Sequence, residues 1–235
     1  MPGCSSKLPQ ICVAGATGLV GRALLAALVD DQRLGTITAL VRQPTQQPSL
    51  PPGVLGHLVD FSALGRAGVA GLPPVDWAFC CLGTTIQVAG SQAAFRAVDF
   101  DAVLAFARAA KVAGASRLAV VSSLGADAKS VVFYNRVKGE MEQALAALDL
   151  PHLVIARPSL LLGDRTAMGQ PNRPGELLAQ MLLPAFGWMV PRRLLPISAE
   201  AVARAMLEAL TTKTPGVQVR ESDALQALAD TPLAT

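Results

Sequence analysis

Three glycines at intervals of three, in Gly15-Ala16-Thr17-Gly18-Leu19-Val20-Gly21, stand between an apolar run and a leucine- and alanine-rich stretch. Gln10 to Ala14 reads as a strand and Leu19 to about Val29 as a helix, so the glycines form the turn that joins them. Such a turn reverses tightly, bares its backbone to a phosphate and lets the helix pack close to its strand. The helix N-terminus then aims its N–H groups at an anion. The spacing is not the usual G-x-G-x-x-G, but glycines at positions one, four and seven meet the same three needs. We read Gly15, Thr17, Gly18, Leu19, Val20 and Gly21 as a pyrophosphate loop.

The rest of the chain keeps the same alternation. Ile37 to Val41 predicts a second strand. A Pro- and Gln-rich loop from Gln43 to Gly53 leads to a third strand ending near Asp60, and Phe61 to Gly71 predicts a short helix weakened by glycine. Val75 to Cys81 is the fourth strand. Gln92 to Ala113, free of Pro and Gly, predicts one long helix. Leu118 to Val121 is the fifth strand, and Phe133 to Leu148 a helix with Val137, Met141, Leu145 and Leu148 on one stripe. His152 to Ala156 is the sixth strand, stopped by Arg157-Pro158. Ala199 to Leu210 is a last helix, and Val217 to Arg220 adds a final strand. Strands alternating with helices require a parallel sheet with right-handed crossovers. The expectation is one α/β domain of Rossmann type over residues 1–235, doubly wound, with a small C-terminal substrate or lid segment at 163–198.

Composition supports a buried sheet: 51% of residues are hydrophobic and 16% charged, which excludes a disordered chain. The net charge of +3 is not gathered into any Lys/Arg run, so no nucleic-acid partner is expected. Cys4, Cys12, Cys80 and Cys81 lack zinc spacing and read as small apolar residues. Met1 to Gln10 does not read as a signal peptide, and the apolar Ala23 to Val29 is too short to cross a bilayer. The expected setting is cytoplasmic, without stable membrane insertion. A protein partner or a second copy of the chain is left open.

The residue after the second strand selects between dinucleotides. A carboxylate there would hold a ribose 2′-hydroxyl, whereas a cation accepts a 2′-phosphate. The strand ends Leu40-Val41-Arg42, so Arg42 favours NADP(H) over NAD(H). Asp60 is placed to accept a hydrogen bond from the adenine amino group, with helix capping as its plainer role. Leu82, Gly83 and Thr84 close the fourth strand at the edge where ligands bind in this architecture.

Tyr134 and Lys138 lie four apart on a helix and share a face. A phenol is a weak acid or base near neutral pH, and a neighbouring ammonium favours its phenolate. Ser122 and Ser123, at the end of the fifth strand, can hold a substrate carbonyl oxygen. The pattern Y-x-x-x-K is weak alone. Its weight here comes from the glycine loop, the serine-ended strand and the fact that Tyr134 is the chain's one tyrosine.

These residues resemble those of atypical short-chain dehydrogenases/reductases, and more narrowly the Tat-interacting protein (CC3-like) oxidoreductases. The segments that carry the likeness are Phe79-Cys-Cys-Leu-Gly-Thr-Thr85, Phe95-Arg-Ala-Val-Asp99, Ser122-Ser-Leu-Gly-Ala-Asp127, Tyr134-Asn-Arg-Val-Lys-Gly-Glu140 and Arg157-Pro-Ser-Leu-Leu-Leu-Gly-Asp-Arg165. Arg173-Pro-Gly-Glu176 extends it, so it covers Gln10 to about Leu210. The resemblance implies an NADP(H)-binding fold, Tyr134 and Lys138 as both acid–base pair and cofactor contacts, Thr17 to Val20 as phosphate loop and Arg42 at the 2′-phosphate. Two positions depart from the pattern. Asp99 stands where typical short-chain enzymes carry the Asn of a proton relay, and Gln43 replaces a second basic residue after Arg42.

Beyond the sixth strand, the apolar Glu176 to Val190, broken by Pro184 and Gly187, reads as a lid over an apolar pocket. An oligomer contact and a membrane-touching element are its rivals. The leading reading is an NADP(H)-dependent oxidoreductase that moves a hydride between cofactor and a small carbonyl or alcohol substrate. A regulator that senses NADP(H) with little turnover is the alternative, and an isomerase with permanently held cofactor a third.

Overall fold

The computed structural model describes residues 8–64, 71–162, 191–212 and 214–231. The first strand, β1 (Ile11–Ala14), is buried along its whole length and leads through the glycine turn into α1 (Leu19–Val29). β2 (Ile37–Val41) is likewise buried throughout, whereas β3 (Val54–Leu58) lies at an edge and is half exposed. Then come β4 (Trp77–Cys80) and two short helices, α2 (Ile86–Ala89) and α3 (Gln92–Arg96), capped by the hydroxyls of Thr85 and Ser91. After them come α4 (Val103–Val112), β5 (Arg117–Val121), α5 (Phe133–Ala146) and β6 (His152–Arg157). The described chain continues with β7 (Leu161–Leu162), β8 (Ile197–Ser198), α6 (Ala199–Thr211), β9 (Gly216–Glu221) and α7 (Ser222–Ala229).

Seven strands form one parallel sheet in the order β3-β2-β1-β4-β5-β6-β9, and β7 and β8 form a separate pair. This is the expected doubly wound sheet. Strand order reverses between β1 and β4, and the crevice at their carboxyl ends is where such sheets bind ligands. Alternation along β1 divides the core: Ile11 and Val13 join α1, α6 and α7 on one face, while Cys12 and Ala14 join α4 and α5 on the other.

The one long helix expected over 92–113 has a different interior. Between α3 and α4 the backbone takes a π turn, Ala97–Ala102. The extra residue in that turn rotates the helix beyond it, and such turns often mark functional sites. It carries Asp99, which is fully buried. The final strand is one residue longer at each end than expected, and α7 behind it has no counterpart in the sequence reading. Of the proposed lid, residues 163–190 lie outside the described residues. Its remainder holds a short 3₁₀ turn, Arg192–Leu194, with both arginines exposed.

Candidate active site

The glycine turn expected to hold a pyrophosphate is a cradle of backbone. Gly15 has φ +78°, and a Cβ there would stand 2.5 Å from the Cys81 carbonyl and 2.7 Å from the Leu82 nitrogen. A Cβ on Gly21 would lie 2.1 Å from the Gly15 oxygen, so α1 seats against its own turn only because that residue is bare. Gly18 is the N-cap, donating its N–H to the Gly15 carbonyl at 3.1 Å and bringing no side chain to the first turn of α1. Thr17 and Leu19 are half-buried and Val20 buried, and Leu19-Val20-Gly21 forms the first turn of α1, whose N–H groups have no acceptor within the helix. Arg22 caps the loop from outside, its Nε donating to the Thr17 carbonyl at 3.1 Å.

Arg42 is exposed and comes directly after β2, at the same sheet edge as the loop. Asp60 is exposed, two residues past the end of β3, and one of its carboxylate oxygens accepts the Ser62 N–H at 2.8 Å. That contact holds the turn at 61–64, which is not a helix among the described residues, so both the helix-capping role and the adenine role of Asp60 stay expectations. Leu82 and Thr84 are half-buried and Gly83 is exposed on the chain leaving the carboxyl end of β4.

The acid–base candidates meet on α5. Tyr134 is half-buried, and its ring packs on that of Phe95 at 5.3 Å between centroids, with Phe133 on another side of Phe95 at 5.9 Å. Lys138 is buried, and its ammonium lies 2.7 Å from Oδ1 of the buried Asp99. The other oxygen of that carboxylate accepts the Thr84 N–H at 2.8 Å. Gly83 lies against the same pair, since a Cβ on it would stand 3.4 Å from Asp99 Oδ1 and 3.9 Å from Lys138 Nζ. Burial is the largest single influence and works against the Lys138 charge, but Asp99, foremost among its neighbours, together with Tyr134 and Cys80 outweighs it and holds the ammonium above the usual lysine range. Cys80, at the end of β4, faces the same ammonium, and burial pushes its thiol up to about 12, so it stays protonated.

The two serines part company. Ser122 is buried and donates its hydroxyl proton to Glu142 at 2.5 Å. Glu142 also takes a forked contact from Arg157, with Nε at 3.0 and 3.2 Å and an Nη at 2.5 Å. Ser122 thus belongs to a brace joining β5, α5 and β6. Ser123 is different: its hydroxyl oxygen is buried and has no hydrogen-bond partner among the described residues. A buried polar group in that condition calls for an explanation, and a ligand oxygen is one.

Sequence reading misses the Glu142–Arg157 brace, the Phe95 support of Tyr134 and the Asp99–Lys138 contact. One signal was available: Tyr134, Lys138 and Glu142 recur at intervals of four and so share a helix face. Among the described residues no group of His, Cys, Asp and Glu could hold a metal ion, and no helix is long and apolar enough to cross a membrane.

The chain matches the NAD(P)H-binding family model over residues 15–213. It is 35% identical over 214 residues to Protein HTATIP2 of Rattus norvegicus, covering 88% of this chain and 83% of that protein. It is 33% identical over 183 residues to the mitochondrial protein fmp52 of Emericella nidulans, covering 77% of each. Among solved structures it resembles a UDP-N-acetylglucosamine 4-epimerase from Methanobrevibacter ruminantium in complex with UDP-N-acetylmuramic acid, with TM-score 0.65, 16% identity and coverage of 92% and 77%. MoeE5 in complex with UDP-glucose and NAD gives TM-score 0.64 at 17% identity, covering 94% of this chain and 80% of that one. At such identities the structures speak for the fold alone. A glycine cradle at the switch point of a doubly wound sheet, a family model spanning that cradle and α5, and relatives matched over most of their length agree, and the chain belongs to the NAD(P)H-binding family as a homologue of HTATIP2 and FMP52.

Proposed function

We propose that the protein is an NADP(H)-dependent oxidoreductase of the atypical short-chain type, one domain over its length, acting on a small carbonyl or alcohol substrate. The observation that carries this reading is the buried Lys138–Asp99 pair, one helical turn on from Tyr134 and against Gly83 at the end of β4, in a sheet whose β1 turn is a bare backbone cradle; the unpartnered Ser123 hydroxyl after β5 supports it. Gly15, Gly18 and Gly21 leave the room, and Leu19, Val20 and Gly21 supply N–H groups to the phosphates. Arg42 receives the 2′-phosphate that distinguishes NADP(H), Asp60 lies toward the adenine, and Leu82, Gly83 and Thr84 line the ribose side. When bound, the cofactor supplies or accepts the hydride.

Ser123, rather than Ser122 with its hydroxyl tied to Glu142, holds the substrate oxygen. Tyr134 passes the proton: in reduction its phenol O–H bond breaks as the alcohol O–H forms, and in oxidation the phenolate takes that proton back. Lys138 steadies the phenolate and reaches toward the ribose. The apolar segment at 163–198 closes over the substrate in this reading. We place the protein in the cytoplasm, although the fmp52 relative is named mitochondrial.

The test is a titration with NADPH and NADH followed by nicotinamide fluorescence, on wild type, Arg42→Ala and Tyr134→Phe. The expectation is tighter NADPH binding that Arg42→Ala abolishes, and unchanged binding in Tyr134→Phe. With a panel of carbonyl substrates, Tyr134→Phe lowers turnover by about a hundredfold or more. No binding of either nucleotide overturns the oxidoreductase reading. Turnover that survives Tyr134→Phe removes the acid–base role, and good binding without any turnover turns the reading toward a cofactor-sensing regulator.

A further inference from the structure

The acid–base pair is embedded in a third charge. Asp99 sits in the π turn between α3 and α4, fully buried, with one oxygen on the Lys138 ammonium and the other on the Thr84 N–H. Its carboxylate therefore joins the chain leaving β4, where the cofactor ribose is placed, to the lysine of the proposed acid–base pair. An amide at this position would keep the Thr84 hydrogen bond but leave the ammonium uncompensated.

We propose that Asp99 is a positioning residue that makes the site a Tyr134–Lys138–Asp99 triad, fixing the direction of the ammonium and offsetting the charge it brings to the phenol. This rests on the oxidoreductase reading and deepens it, because the placement and compensation of that ammonium bear on the proton that Tyr134 passes in carbonyl reduction. In that direction the bound cofactor would supply the hydride to the carbonyl carbon, and the carbonyl oxygen takes the phenol proton as the phenol O–H bond breaks, leaving the phenolate on Tyr134.

The charged and titratable groups facing the ammonium, among the described residues, point the same way. Asp99 comes from the π turn, Tyr134 from one turn earlier on α5 and Cys80 from β4. Cys80 is held protonated by burial, and so brings no charge. Glu142, one turn further along α5, is committed to Ser122 and Arg157. Arg96 and Glu140 pair with each other at 2.5 Å on the outer side. Asp99 is left as the anion that sets the balance.

Because Tyr134 is the chain's only tyrosine, tyrosinate absorbance reports it alone. An alkaline titration of the purified protein without ligand needs no substrate, and Tyr134→Phe supplies the blank. The expected result is that Asp99→Asn moves the ionisation midpoint down by about one pH unit, a tenfold gain in phenolate at a given pH below it. Asp99→Ser, a smaller uncharged replacement, gives the same shift and serves if the amide variant does not fold. A folded variant whose midpoint stays or rises overturns the proposal, since a merely structural Asp99 would not move it downward. Lys138→Met separates the two levels. If it fails to raise the midpoint, the Tyr–Lys reading itself falls; if it raises the midpoint while Asp99→Asn does nothing, only the triad falls.

Discussion

The two halves of the crevice solve different problems with different materials. On the β1 side the material is backbone: Gly15 and Gly21 have no side chains because none fits, and in the proposed function the anion meets N–H donors at the start of α1. On the β4–β6 side it rests on buried side-chain charge, in the Asp99–Lys138 pair and in the Ser122–Glu142–Arg157 brace. A backbone cradle holds the constant part of a nucleotide and tolerates changes around it. Buried ions are costly to remove from water and keep their worth only while every partner stays in place, so they fix one arrangement of reacting groups.

The largest expected effect tests that contrast directly. Glu142→Ala leaves Arg157 and the Ser122 hydroxyl without their partner in a mostly buried place, and Arg157 is held above its usual range chiefly by its hydrogen bond to that carboxylate. Unfolding by denaturant should show a loss of about 3 kcal/mol, with the double variant Glu142→Leu, Arg157→Leu losing less than the sum of the two single changes. NADPH affinity of the folded protein should stay close to wild type. If affinity falls as steeply as stability, the two halves are not separable and the comparison fails.

How much of this can be read from the chain obeys the same division. The glycine cradle is a local pattern flanked by a strand and a helix, and its geometry comes from residue types at fixed spacing, so β1, α1 and the switch point are legible. Tyr134 and Lys138 are legible because helix periodicity puts them on one face. The partner of Lys138 is not: Asp99 is distant in sequence, beyond β5, and a regular helix over 92–113 gives no hint of the π turn that carries it. Ser122 and Ser123 look equivalent because strand alternation says that they point to opposite sides, not which side holds Glu142. Edge elements such as α7 escape because a short amphipathic run after a weak strand carries little signal of its own.

A smaller effect probes the backbone half. Gly15→Ala adds a methyl where φ is +78° and the Cys81–Leu82 peptide lies within 2.7 Å. Either the turn or the end of β4 must move, at a cost of about 2 kcal/mol. Here cofactor binding should suffer most, with NADPH affinity down by about tenfold or more, a loss of about 1.4 kcal/mol, while the alkaline tyrosine titration stays near wild type. A variant that binds NADPH normally would show that the loop does not need its bare backbone, and the proposed cradle would lose its physical basis.

The smallest effect concerns a polar group in the charged half but at the opposite end of its strands. His152, buried at the start of β6, lies 3.1 Å from the Gln218 amide nitrogen, which also donates to the Thr214 carbonyl, while the amide oxygen accepts from Arg220. Gln218 is thereby oriented with its donor toward the imidazole, and a protonated ring would set donor against donor. Burial and, after it, the Arg117 charge lower the His152 pKa from 6.5. An unfolded chain therefore binds this proton at a pH where the folded one does not. The contribution to stability is complete above about pH 6.5 and is lost as the pH falls from there through the lowered native value. His152→Gln, which keeps an acceptor but cannot titrate, should flatten the denaturation midpoint across that mildly acidic window and leave it unchanged above about pH 7. If the slope persists in the variant, its source lies among the charged partners of the site, and the acid–base half is softer toward pH than its buried pairing implies.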